Sequence, residues 1–206
     1  MLRKRYVKNL TRVCDVDKIK KQNTLYFYIS VLRKKRKRMR TQVYSLLVDN
    51  NAGILSRIAG LFSRRGYSID SITAGMTANP KFSRITIVAR GDESILEQIE
   101  KQVRKLEDVI EITVLRDNQA VCRELIMLKV RADATQRAEI MSIAEIFRAK
   151  IVDVEKESII LELTGNQSKI EGFLNLFEGY EILEIARTGI TGLARGSKDV
   201  ITLEEA

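Results

Sequence analysis

Histidine is absent from all 206 residues, which removes the commonest general base and the commonest metal ligand together. The two cysteines, Cys14 and Cys122, lie far apart with no CxxC pairing, so neither a disulfide framework nor a zinc site is suggested and a reducing compartment is expected. Cys122 reads as a small apolar residue at the start of a strand. No uninterrupted apolar run reaches the roughly 18 residues that a membrane-spanning helix needs. A positive-then-apolar leader ending in small residues is also missing, and the expected location is cytoplasmic, with a plastid as the alternative.

Motifs that would carry catalysis are missing as well. Asp153, Glu155 and Glu157 alternate along an inferred strand, but neither a matching nucleophile, nor HExxH, nor GxxxxGK accompanies them, so they read as solvated charges. Gly189, Gly192 and Gly196 punctuate TGITGLARG, a glycine-rich run without the strand, helix and acidic residue that a dinucleotide site requires. The chain is not expected to be an enzyme, and no metal or cofactor is expected in it.

The net charge of +9 suggests a nucleic-acid binder until it is divided along the chain. Residues 1–38 hold 14 Lys+Arg against 2 Asp, a balance of +12, and residues 39–206 hold 22 against 25 Asp+Glu, a balance of −3. The leader closes on six consecutive cations from Arg33 to Arg38, which repel one another and are expected to be disordered or loosely helical. It reads as sequence upstream of the working protein, with an internal start at Met39 directly before the first convincing strand. A passive tail and a binding or targeting arm are the alternatives. Ser30 is the only serine in it, which argues against a transit peptide.

From residue 42 onward short β-branched runs alternate with segments of helical period, the pattern of mixed α and β structure. Residues 42–48 read as a strand, and Ile54, Leu55, Ile58, Leu61 and Phe62 as the buried stripe of a helix that Gly66 ends. Residues 67–76 and 81–90 read as a hairpin turning at Asn79 and Pro80, Asp92 opens a second helix, and residues 109–115 form a closing strand. The same β-α-β-β-α-β order recurs as strand 124–130, helix 135–148, strands 151–155 and 158–163, helix 167–177 and strand 181–186. A slide of 71 residues superposes 99–116 on 170–187 with apolar positions matched. The fold class is therefore α+β, two tandem ferredoxin-like modules, each an antiparallel four-stranded sheet with both helices on one face. Open edges and one bare sheet face predict pairing with a second copy.

The turn DNNAG, residues 49–53, is where a ligand reading and a bland one meet. Asp49, Asn50 or Asn51 can cap the following helix, Gly53 lets a ligand approach the backbone, and the helix amide end favours a carboxylate. On the residues alone, a turn that merely caps its helix and a turn that holds a small anion both remain open.

SLLVDNNAGILSRIAGLFSRRGYSIDSI, FSRITIVARGD and ILEQIEKQVRKLEDV together resemble the ACT domain of the small regulatory subunit of acetohydroxyacid (acetolactate) synthase. RELIMLKV, EIFRAKIVDV and IARTGITGLARG are similar to that family's C-terminal domain. The resemblance implies an ACT domain over 39–117, a ferredoxin-like domain over 122–197, a tail over 198–206, and a basic extension over 1–38. It further implies a non-catalytic partner of a thiamine-diphosphate-dependent catalytic subunit that would itself carry thiamine diphosphate, magnesium and FAD. This chain would raise that subunit's activity and confer feedback inhibition by a branched-chain amino acid, usually valine.

In the family the effector lies between two ACT domains of a homodimer. Carried over, Asn50, Ala52, Gly53, Ile54 and Leu55 of one chain would face Ser68 and Ile69 of the other. Many relatives carry asparagine where Ser68 stands, and serine offers fewer hydrogen-bonding sites at shorter reach, so this position bears on effector affinity and identity. No membrane and no nucleic-acid partner is expected. A free-standing ACT-type amino-acid sensor controlling another enzyme or nucleic acid is the alternative.

Overall fold

The computed structural model describes residues 39–196; the readings made for 1–38, for residue 197 and for 198–206 lie outside them. The first module runs β1 (Arg40–Asp49), α1 (Ile54–Arg65), β2 (Ser68–Met76), β3 (Phe82–Gly91), α2 (Glu93–Val103) and β4 (Val109–Leu115). Its strands pair antiparallel in the order β2-β3-β1-β4. Because side chains alternate across a strand, Tyr44, Leu46 and Val48 of β1 and Ile85, Ile87 and Ala89 of β3 share one face, and the helix residues Ile58, Phe62 and Ile99 close over it. Each large aliphatic side chain buried there stabilises the fold by about 1.5–3 kcal/mol relative to exposure.

Helix ends follow local chemistry. Gly66 closes α1 with a left-handed φ of 66°, and the amides of Gly66 and Tyr67 turn back to Ser63 O and Phe62 O at 3.1 and 2.9 Å. At the start of α2 the Asp92 carboxylate accepts from the Ile95 amide at 3.1 Å. The Tyr44 hydroxyl donates to Leu96 O at 2.8 Å and ties α2 to the sheet; burial first, then the nearby Glu100, pushes this phenol upward and keeps it a donor.

The second module contains β5 (Ala120–Arg131), α3 (Arg137–Phe147), β6 (Lys150–Val154), β7 (Ser158–Gly165), α4 (Gln167–Asn175), β8 (Ile182–Arg187) and β9 (Thr191–Ala194). Its strand order β6-β7-β5-β8 repeats that of the first. Phe173 is the centre of its core, with ring centroids 5.5 Å from Phe147 and 5.0 Å from Phe177.

Three expectations are corrected. β5 begins at Ala120 rather than at 124, because β9 pairs with its first four residues from Ala120↔Ala194 to Arg123↔Thr191; the glycine-rich run is thus partly a strand. Helix α3 starts two residues later than expected, since the Asp133 carboxylate gathers the amides of Thr135 and Gln136 into a turn at 2.8 and 2.9 Å. The repeat is also displaced from the 71-residue slide. The caps Asp92 and Asn166 are 74 residues apart, as are the buried pairs Leu96 with Ile170 and Ile99 with Phe173. A three-residue error along a helix returns nearly to the same face, so apolar matching tolerates it.

The sheet face turned away from the first module's helices is not left wholly bare. The segment leading into β9 lies on it, with Gly189 against Ser71 and Thr73 of β2. No helix among the described residues is long and apolar enough to cross a membrane.

Candidate functional site

The turn between β1 and α1 is fastened from three sides. Asp49 N donates to Asp108 O at 3.0 Å, Asn50 N to Lys81 O at 2.7 Å, and Asn51 N to Asp49 O at 2.9 Å. The Asn50 side chain donates to Pro80 O at 3.0 Å and accepts from Ser83 Oγ at 2.9 Å, so this residue builds the turn by gripping the β2–β3 hairpin. Arg57, in the first turn of α1, pairs with the nearly buried Asp108 carboxylate and anchors the helix to the chain entering β4.

Neither Asp49, Asn50 nor Asn51 caps α1. The N-cap is Gly53, with φ 90° and no side chain on the helix amides. A Cβ there would meet nothing within 4 Å, so the left-handed backbone, not crowding, selects glycine. Beyond the Ile54 N to Asn51 O bond of 3.4 Å, the amides of Ala52, Gly53 and Leu55 have no partner among the described residues. Unpartnered amides at the positive end of a helix are donors that an anion can accept from. Ala52, Gly53 and Leu55 are exposed, whereas Ile54 is buried in the core.

Ser68 and Ile69 lie at the other end of α1, where β2 begins. Twelve helical residues at about 1.5 Å rise separate the two groups by roughly 18 Å within one chain. Ser68 is exposed; Ile69 is half-buried against the core. The register with β3 shifts between Ile69 and Ser71, a bulge at Asp70, whose carboxylate pairs with Arg90 at 2.9 Å. The outer edge of β2 has no strand partner among the described residues. One chain therefore does not bring the two candidate groups together.

Sequence reasoning missed the supporting residues Pro80, Lys81, Ser83 and Asp108. The Asn79-Pro80 turn marked the hairpin, but nothing local announced that it would hold a loop thirty residues upstream. Cys122 sits beside Gly192, and burial, then Asp117, raises its thiol, which keeps it protonated. Among the described residues no group of three or more His, Cys, Asp or Glu could hold a metal.

Family comparison agrees with this architecture. Residues 44–111 match the small-subunit-like ACT domain of acetohydroxyacid synthase, and residues 123–196 match the small subunit of acetolactate synthase. The acetolactate synthase small subunit of Mycolicibacterium smegmatis is 44% identical over 160 residues, 78% of this chain and 94% of the relative. That of Haemophilus influenzae is 42% identical over 161 residues, 78% and 99%. The crystal structure of the acetolactate synthase small subunit from Thermotoga maritima is 43% identical with a TM-score of 0.70, covering 77% of this chain and 99% of that one. With both of its modules matched in order, the chain belongs to the acetolactate synthase small-subunit family.

Proposed function

We propose that this protein is the regulatory subunit of an acetolactate synthase, raising the activity of a thiamine-diphosphate-dependent catalytic subunit and making it sensitive to valine or a related branched-chain amino acid. The chemistry belongs to the partner. The observation that carries the effector half of the reading is the Gly53 helix end, where the amides of Ala52, Gly53 and Leu55 are free to take a carboxylate. In a homodimer joined along β2, Ser68 and Ile69 of the second copy complete the site, and Leu55 and Ile69 offer apolar surface to an aliphatic side chain. Each methylene buried there contributes roughly 0.8 kcal/mol. Asn50 acts behind this surface, holding the turn in shape through Pro80 and Ser83.

The test is reconstitution with a purified catalytic subunit, alongside calorimetric titration of the chain with valine, leucine and isoleucine. The reading predicts no synthase turnover by the chain alone, a higher rate in the mixture, and inhibition by the amino acid that binds. A mixture whose rate and inhibition match those of the catalytic subunit alone refutes it.

A further inference from the structure

Strand β2 does two jobs at neighbouring positions. Its first residues, Ser68 and Ile69, belong to the candidate effector site, and Ser71 and Thr73, just past the Asp70 bulge, carry the second module's only threaded segment among the described residues on this strand. The Thr73 hydroxyl donates to Ile190 O at 3.1 Å, and Ile190 N reaches Ser71 Oγ at 3.5 Å. Between them Gly189 passes so close that a Cβ would stand 2.8 Å from Ser71 Cβ and 3.5 Å from Thr73 Cγ2, at a φ of +83° that side chains rarely adopt. The preceding residue is tied to the other module: Thr188 N donates to Leu125 O at 3.0 Å, and Leu125 N donates to the Thr188 hydroxyl at 3.1 Å. Two residues thus span from β5 to β2 with no slack.

On both sides of this crossing the modules stand apart. Cavities of about 570 and 500 Å³ open there, and Ile190 lines both. The modules also meet where β9 runs beside β4, with Gly192 against Leu115, so the crossing is the contact that a displacement of β2 itself reaches directly. A bulge bends a strand and locally interrupts its ladder, and here it lies at Asp70, between the effector end and the crossing. From Ser68 to Ser71 is about 10 Å of strand.

We propose that the Gly189–Ile190 clasp on β2 is the link through which effector bound at the start of β2 biases the second module. This rests on the regulatory reading above and names how that site acts at a distance. Coupling of this kind is a free-energy difference shared between two sites, and it is lost when the shared element no longer has to choose between two arrangements.

The experiment uses the full chain with its catalytic subunit and valine as the probe. Gly189→Ala drives a methyl into Ser71; Thr73→Val removes the hydroxyl donor at nearly constant volume, and serves where Gly189→Ala fails to fold. Valine binding is read by calorimetry, and activation and maximal inhibition by rate. For Gly189→Ala the proposal predicts that valine still binds and the subunit still activates, each within about twofold, while the inhibitory factor at saturating valine falls by about fivefold or more. Thr73→Val shows a smaller loss in the same direction. Ser71→Gly, which clears space for the new methyl, restores part of the inhibition when combined with Gly189→Ala, a rescue that general loosening of the fold does not give. Full inhibition in both variants, or loss of inhibition only in proportion to lost binding, overturns the clasp. Should the wild type not respond to valine, leucine and isoleucine are used as probes in its place; a wild-type chain that neither binds nor inhibits with any of the three removes the effector half of the regulatory reading and the clasp with it, and is told apart because the wild type itself is silent.

Discussion

The first helices of the two modules, α1 and α3, occupy the same place in the same topology but begin differently. Ahead of α3 the chain spends an aspartate: Asp133 accepts from the amides of Thr135 and Gln136 and from the Thr135 hydroxyl, and these bonds, the hydroxyl's first, hold its carboxyl below the usual range. Ahead of α1 the chain has Gly53, no capping side chain, and free amides. The far ends match, with Gly66 and Arg148 both left-handed at φ 66° and 53° and 82 residues apart. The sheets carry a register shift at the same step too, between Leu47 and Val48 in one and Lys129 and Val130 in the other. One fold is thus entered in two ways: an aspartate-held turn leads into α3 and a left-handed glycine into α1, and neither helix has a side-chain cap of its own.

The largest expected effect lies in the framework both modules share. Phe173→Ala empties the centre of the second core and should lower unfolding stability by about 3–5 kcal/mol in a urea titration, because a buried aromatic leaves a cavity that its neighbours fill only in part. A loss under 1 kcal/mol would mean that this core is not packed as described. Next comes Gly53→Asp, which forces a side chain into the left-handed region at a cost of about 1–2 kcal/mol and places a carboxylate where the effector's own should dock. Valine affinity should fall by about tenfold or more, with activation of the catalytic subunit largely retained. Activation lost with feedback preserved would refute the placement of the site.

Smaller effects sharpen the contrast between helix ends. Asn166→Ala removes the side chain that accepts from Lys169 N at 3.0 Å and should cost about 1 kcal/mol of stability without altering feedback. Asp133→Ala should act more weakly and with a pH signature. Its folded carboxyl titrates below the unfolded one, so its contribution is present above the unfolded pKa and fades as pH falls through the folded value. Melting temperatures of wild type and variant should differ at neutral pH and converge in acid; a constant gap would show that the carboxylate's charge plays no part.

Strand and helix order was legible because period-2 and period-3.6 patterns are local, and the caps at Gly66 and Asp92 announce themselves within a turn. Register was not. A strand slid by two residues, or a helix by three, keeps its apolar face, which is why Ile99 aligned with Ile170 by pattern although Phe173 is its counterpart in the core. β9 was illegible for a different reason: Gly192 packs where a Cβ would meet Cys122 Sγ and Leu115 Cδ1 at 2.8 Å, a non-local demand that looks like a flexible loop in the sequence. Within the candidate site the glycine turn at Gly53 was legible because a left-handed backbone ahead of a helix is a local demand, whereas the bonds of Asn50 to Pro80, Lys81 and Ser83 depend on a hairpin thirty residues away.

A crystal structure of the full chain grown with saturating valine tests the central claim most directly. The account predicts two copies joined along β2, with the valine carboxylate on the Ala52, Gly53 and Leu55 amides of one and its side chain beside Ile69 of the other. Valine seated within a single protomer, or away from the Gly53 helix end, would contradict it.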